Sequence, residues 1–117
     1  MEIPEHPRLA PLPRRVVLGI EVAVAAELPA RLFGLAGIPL RLAGGGLLIP
    51  RCASVHTFGM RFGLDLFFLD SGEEPLMVCR AIPARRLLWC RGADSVLELP
   101  STRRSPRQGG EFPAAGT

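Results

Sequence analysis

The stretch "DLFFLDSGEEPLMVCRAI", residues 65–82, decides the fold. Its opening "DLFFLD" reads as an apolar strand. "DSGEEP" gathers Asp, Ser, Gly and Pro, the composition of a tight connection, with Gly72 expected to supply the permissive backbone. "LMVCRAI" then reads as a second strand pairing back on the first. The two-residue period of a strand places Met77, Cys79 and Ala81 on one face and Val78, Arg80 and Ile82 on the other.

Outward from this hairpin the same grammar repeats. "LLIP" (47–50) is a short buried strand ended by Pro50, entered through the glycines at 44–46. That triple glycine lacks the Gly-Lys-Ser/Thr ending and following helix of a phosphate loop, so it reads as a tight turn. "RRLLWCRG" (85–92) and "SVLEL" (95–99) add two strands, and the β-branched "VVLGIEVAV" (16–24) reads as one more. "ELPARLFGLAG" (27–37) is the exception. A short helix is expected near 28–36, with Pro29 in its first turn, Gly34 or Gly37 ending it, and Leu28, Leu32, Leu35 and Ala36 covering the sheet.

Strand-like segments recurring at intervals of about ten residues imply an all-β, barrel-like or sandwich fold with one short helix. A chain of 117 residues, 48% hydrophobic, fits one such domain. We place the β-rich core at 16–100, between a Pro-rich leader (1–15) and an Arg/Pro/Gly-rich flexible tail (101–117). Residues 1–12 and 101–117 are expected to make few core contacts, because their Pro, Gly and Arg content does not offset the entropy of ordering.

The net charge is +3, and all fourteen basic residues are Arg. Arg103, Arg104 and Arg107 lie in the tail, which leaves the rest near neutral, with no Arg-rich face interleaved with aromatics and so no strong nucleic-acid signal. The opening residues lack the apolar core of a secretory signal, and "VVLGIEVAVAAEL", broken by Glu21, is too short to cross a bilayer. Three irregularly spaced cysteines, Cys52, Cys79 and Cys90, suit reduced, mostly buried thiols better than a disulfide framework. The expectation is a soluble, cytoplasmic protein.

"LLIPRCASVHTFGMRFGLDLFFLD" (47–70), with "ARLFGL" (30–35), "AIPARR" (81–86) and "RGADSVLELP" (91–100), resembles a bacterial and archaeal family known as domain of unknown function 192. The resemblance spans residues 16–100. It implies a compact, β-rich, barrel-like fold and no established activity, and it supplies no catalytic residues. Another branch of that family resembles Trp-Met-Lys-Asn-Thr where this chain has His56 to Met60, which speaks against His56 as a shared catalytic group. Two departures stand out. Gly63 replaces a Pro usual before Leu64 and Asp65, and the tail replaces a closing Gly- and Leu-containing segment, so a final strand is expected to be missing.

Candidate chemistry centres on residues 51–65. Cys52 and His56, with Cys79 and Cys90, offer one proximate pair of metal ligands, too few for a recognisable zinc pattern. Cys52, His56 and Arg51 could form a thiolate pair, but no orienting third group or oxyanion donors are identifiable, although Gly44–Gly46 could supply backbone N–H groups. Asp65 and Asp70 bracket a strand on opposite faces, roughly 17 Å apart, and cannot work as a carboxylate pair. Asp65 is instead expected to accept backbone N–H groups or to pair with Arg61. What remains is a small-anion pocket on Arg51, His56, Arg61 and Asp65, walled by Phe58, Met60 and Trp89, set against a surface turn whose polar groups are solvated or paired. The reading is a binding or accessory module rather than an enzyme, with no cofactor and with a small anion as the possible ligand. A structural or protein-interaction domain and a Cys/His-dependent hydrolase are the alternatives.

Overall fold

The computed structural model describes residues 5–101. Eight strands form two sheets: β1 (Arg14–Val17), β2 (Ile20–Val24), β3 (Leu47–Pro50), β4 (Ser54–His56), β5 (Leu64–Leu69), β6 (Pro75–Ile82), β7 (Leu87–Trp89) and β8 (Ser95–Pro100). A one-turn helix, α1 (Ala30–Phe33), and a 3-10 turn (Leu40–Leu42) lie between β2 and β3. The larger sheet has the order β1-β2-β3-β8-β5-β6, and β4 pairs with β7 separately. Among the described strands only β2 and β3 pair in parallel, an arrangement their long connection through α1 permits. The fold is therefore β-rich with one short helix, as the strand spacing implies. Among the described residues no helix is long and apolar enough to cross a membrane.

Alternation builds two cores. Leu64, Leu66 and Phe68 of β5 face the main core with Leu47, Ile49 and Val96. Leu69 faces the opposite way, into a smaller cluster with Val17, Val22, Leu48 and Leu97. An ion pair from Arg15 on β1 to Glu73 in the β5–β6 turn ties one end of the sheet to the other, so the sheet curls around this smaller cluster. The result is barrel-like without a hydrogen-bonded closure between β1 and β6.

Several expectations need correction. Val16–Val24 is a hairpin, not one strand. Leu18 and Gly19 both take positive φ, 51° and 79°, the geometry of a two-residue reversal. Leucine rarely occupies that region, and β-branched residues on both sides hide the turn. In the β5–β6 turn the left-handed residue is Glu73 (φ 64°) rather than Gly72, while Asp70 Oδ1 accepts the N–H groups of Gly72 and Glu74 at 2.8 and 3.0 Å.

The face assignment on β6 also fails at its end. Leu66 lies opposite Cys79 but Leu64 lies opposite Ile82, so β6 carries an extra residue and Ile82 returns to the core that holds Cys79. Ala81, at φ 55°, makes this bulge.

The helix is shorter than expected and presents a different face. Pro29 caps it, Gly34 (φ 55°) ends it, and Ala30, Leu35 and Ala36 are buried while Leu28 and Leu32 are exposed.

The leader is not idle. Leu9 is fully buried, Leu12 packs against the same core, and β1 begins at Arg14, before the expected boundary. Prolines oppose regular elements but not the packing of turns. The tail beyond Ser101, and with it the expectation of a missing final strand, lies outside the described residues.

Candidate functional site

The four residues singled out by sequence have different partners. Asp65 sits on β5, away from the main core. Its Oδ1 accepts the Ala81 N–H at 2.8 Å, and its Oδ2 pairs with Arg80 Nη1 at 3.3 Å. It therefore holds the β6 bulge, and its guanidinium partner is Arg80 rather than Arg61. Arg61 is exposed in the turn before β5 and has no ion-pair partner among the described residues. Arg51 is exposed, at φ 50°, and its carbonyl accepts Arg31 Nη2 at 2.6 Å. Of the expected walls, Met60 is buried in the main core, Trp89 is largely exposed on β7, and Phe58 stands against the His56 ring with centroids 5.9 Å apart.

His56 lines a cavity. This space, about 210 Å³, lies between α1 and the strands β3, β4, β7 and β8. Leu32, Phe33 and Leu87 form an exposed apolar rim, while Glu98, 3% exposed, lies deep within it. Glu98 gets there by alternation. Val96 and Glu98 share a face of β8, and register places Glu98 between Leu47 of β3 and Leu66 of β5, both core residues. Gly34 makes the room: a Cβ there would stand 2.8 Å from Glu98 Oε1.

The carboxyl is poorly satisfied. Oε1 accepts the Leu35 N–H at 3.4 Å, at the long end of useful geometry, and Oε2 has no hydrogen-bond partner among the described residues. Burial pushes the Glu98 carboxyl up to about 7, opposed by the Leu35 N–H and by attraction to Arg8. Arg8 does not pair with Glu98 directly. Its Nη2 donates to the carbonyls of Gly34, at 3.0 Å, and Ala36, and its Nε is buried without a partner.

The other polar groups of the cavity are largely committed. Arg31 donates to the Pro50 and Arg51 carbonyls, and Cys52 Sγ donates to Ser54 O at 3.0 Å. His56 Nε2 lies 3.3 Å from Leu32 O. A carbonyl only accepts, so in the neutral ring Nε2 carries the proton and Nδ1 is left as an acceptor. Nδ1 is buried with no partner.

The cysteines are all free, and burial pushes the Cys79 thiol up, with Cys90 adding to it, which makes Cys79 a poor nucleophile. Among the described residues no three His, Cys, Asp or Glu side chains gather to hold a metal ion.

Sequence reasoning found His56 and Cys52 but missed Glu98, Gly34, Arg8 and Arg31. A signal was present for one of them. In "SVLEL", Glu98 falls two residues after Val96, so whichever face Val96 buries must take the carboxylate as well. Comparison with protein-family models, curated proteins and solved structures gave no match to this chain.

Proposed function

We propose that this chain is a small-ligand-binding domain whose site is the cavity beneath His56. The observation that carries the reading is Glu98, a nearly desolvated carboxyl with an unused oxygen in a space with mostly apolar walls. Beside it His56, which also lines the space, has its Nδ1 buried without a partner; such a group is costly, and a ligand that satisfies it recovers that cost. At about 210 Å³ the space is below the roughly 300–1,000 Å³ of drug-sized sites, so the occupant is a small molecule. The same reading takes the chain as a member of the domain of unknown function 192 family, on the run from His56 to Asp65, and places it in the cytoplasm, where three unpaired thiols remain reduced.

A second reading keeps a small anion on the 51–65 segment. It is favoured by Arg51 and Arg61, both exposed and without ion-pair partners among the described residues. Backbone-amide NMR titration with small cationic, neutral and anionic probes separates the two. Saturable shifts gathered on residues 31–35, 52–56 and 96–98 support the cavity. Shifts confined to Arg51 and Arg61 with phosphate support the anion site instead. Absence of saturable shifts with every probe overturns both and leaves a structural or interaction module.

A further inference from the structure

We propose that the cavity selects a small organic cation, a primary ammonium on a short apolar body, with its N–H groups donating to Glu98 Oε2 and to His56 Nδ1. This rests on the cavity being the binding site and adds the ligand's chemistry.

The argument runs through the polar inventory of the space. The main donors that line it are engaged: each terminal nitrogen of Arg31 with a carbonyl, the Cys52 thiol with Ser54 O, and the His56 Nε2–H with Leu32 O. Two acceptors keep unused capacity among the described residues, Glu98 Oε2 and His56 Nδ1. An anion entering this space would meet the Glu98 carboxylate and the His56 Nδ1 lone pair, while the Arg31 guanidinium is held by the Pro50 and Arg51 carbonyls. An ammonium has three donors and no acceptor. The remaining walls, Ile49, Val55, Leu32, Phe33 and Leu87, suit an aliphatic body.

Charge bookkeeping agrees. Around Glu98, the segment before β1 contributes Arg8, α1 contributes Arg31, and β4 with its approach contributes His56 and Cys52, while β3, β5 and β7 face it with apolar side chains. The two guanidiniums are engaged with main-chain carbonyls rather than with Glu98. A bound ammonium is therefore the missing direct counter-charge. Its binding ionises the carboxyl, so below about pH 7 each binding event releases a proton and affinity weakens as pH is lowered.

The test titrates n-butylammonium, n-butanol and butyrate into the full chain by NMR at pH 6 and pH 8. The amine remains protonated over this range. The expected result is that butylammonium binds at the cavity ahead of the other two, with affinity rising about tenfold from pH 6 to pH 8. Glu98→Gln, with its fold verified by the amide spectrum, abolishes both the binding and its pH dependence. His56→Phe weakens binding without removing the pH dependence. If butyrate or butanol binds in the cavity as tightly as butylammonium, or if Glu98→Gln leaves the ammonium affinity unchanged, the cation assignment falls while the cavity remains a binding site. If no probe shifts the cavity amides, both readings fall together.

Discussion

Asp65 and Glu98 are diagonal neighbours on adjoining strands. Register sets Asp65 opposite Leu99 and Leu66 opposite Glu98, so one residue's difference in parity sends the two carboxylates to opposite faces of one sheet. Asp65 has both oxygens engaged, one by the Ala81 N–H and one by Arg80. Among the described residues Glu98 has a single long bond, from Leu35, and its second oxygen has none. The first carboxylate completes a backbone irregularity and leaves little capacity for anything else. The second is buried more fully, satisfied less, and placed beside open space. Burial of an acid is therefore not itself a sign of function. What separates the two residues is whether the surrounding chain supplies partners.

The largest effect expected from this contrast is on the pH dependence of stability. The folded-state pKa of Glu98 is raised from 4.5 to about 7, so the unfolded chain gives up this proton first. The contribution of the protonated carboxyl is fully present below about pH 4.5, declines as pH rises toward 7, and is lost above it, a change of about 3 kcal/mol. Glu98→Gln cannot ionise. The difference in unfolding free energy between the native chain and this variant should fall by that order between pH 4.5 and pH 8 in urea titrations. Parallel curves over the whole range would show that the carboxyl is better satisfied than its one long hydrogen bond indicates.

Asp65 comes next. Asp65→Leu leaves the Ala81 N–H buried without an acceptor and should cost on the order of 1–3 kcal/mol. Asp65→Asn keeps an oxygen for that N–H and loses only the charge toward Arg80, so its urea midpoint should lie between those of the native chain and the Leu variant. Equal losses for the two substitutions would shift the weight from the backbone bond to the ion pair and weaken the contrast with Glu98.

How much of this was legible beforehand follows from what each signal measures. The β5–β6 hairpin could be read because apolar alternation and Asp-Ser-Gly turn chemistry are local. The bulge at Ala81 could not, since it depends on how Asp65 on the partner strand meets an extra residue, and alanine gives no hint of a positive φ. The hairpin reversal at Leu18–Gly19 was hidden for the same reason. Leu9 was misread because proline content reports on regular elements and not on burial. For the site, His56 and Cys52 stood out as reactive residue types, whereas Glu98 lay unremarked within the short strand "SVLEL". Its burial is decided by Leu47, Leu66 and the absent side chain of Gly34, which are far from it in sequence.

Gly34 gives a prediction of intermediate size on the Glu98 side. Gly34→Ala places a Cβ 2.8 Å from Oε1, at φ 55° and ψ −128°, a backbone conformation essentially confined to glycine, which should cost about 1–3 kcal/mol. In the Glu98→Ala background the steric part disappears and the backbone part persists. A double-mutant cycle over these two positions therefore reads the contact separately from the strain. A coupling near zero would mean that the carboxylate moves aside freely, and that the cavity is less fixed than its lining suggests.

The smallest effect belongs to Arg80. Its side chain is 47% exposed, and it reaches Asp65 Oδ2 at 3.3 Å while its guanidinium lies 5.2 Å from the Phe67 ring centroid. Solvent screens a pair of this kind, and exposed ion pairs contribute about 0–1 kcal/mol. The stacking on Phe67 adds a further fraction on the order of 0.5–1 kcal/mol. Arg80→Met keeps much of the aliphatic cover over Phe67 and removes only the charge, so it should cost less than Arg80→Ala, and both should cost less than Asp65→Leu. The ordering decides what Asp65 is for. If Arg80→Met costs as much as Asp65→Leu, then Asp65 serves mainly as a counter-ion, and its bond to Ala81 follows from the bulge rather than holding it. If Arg80→Met is nearly silent while Asp65→Leu is not, the carboxylate acts through the backbone. That outcome marks Asp65 as the acid completed by its own fold, in contrast to Glu98.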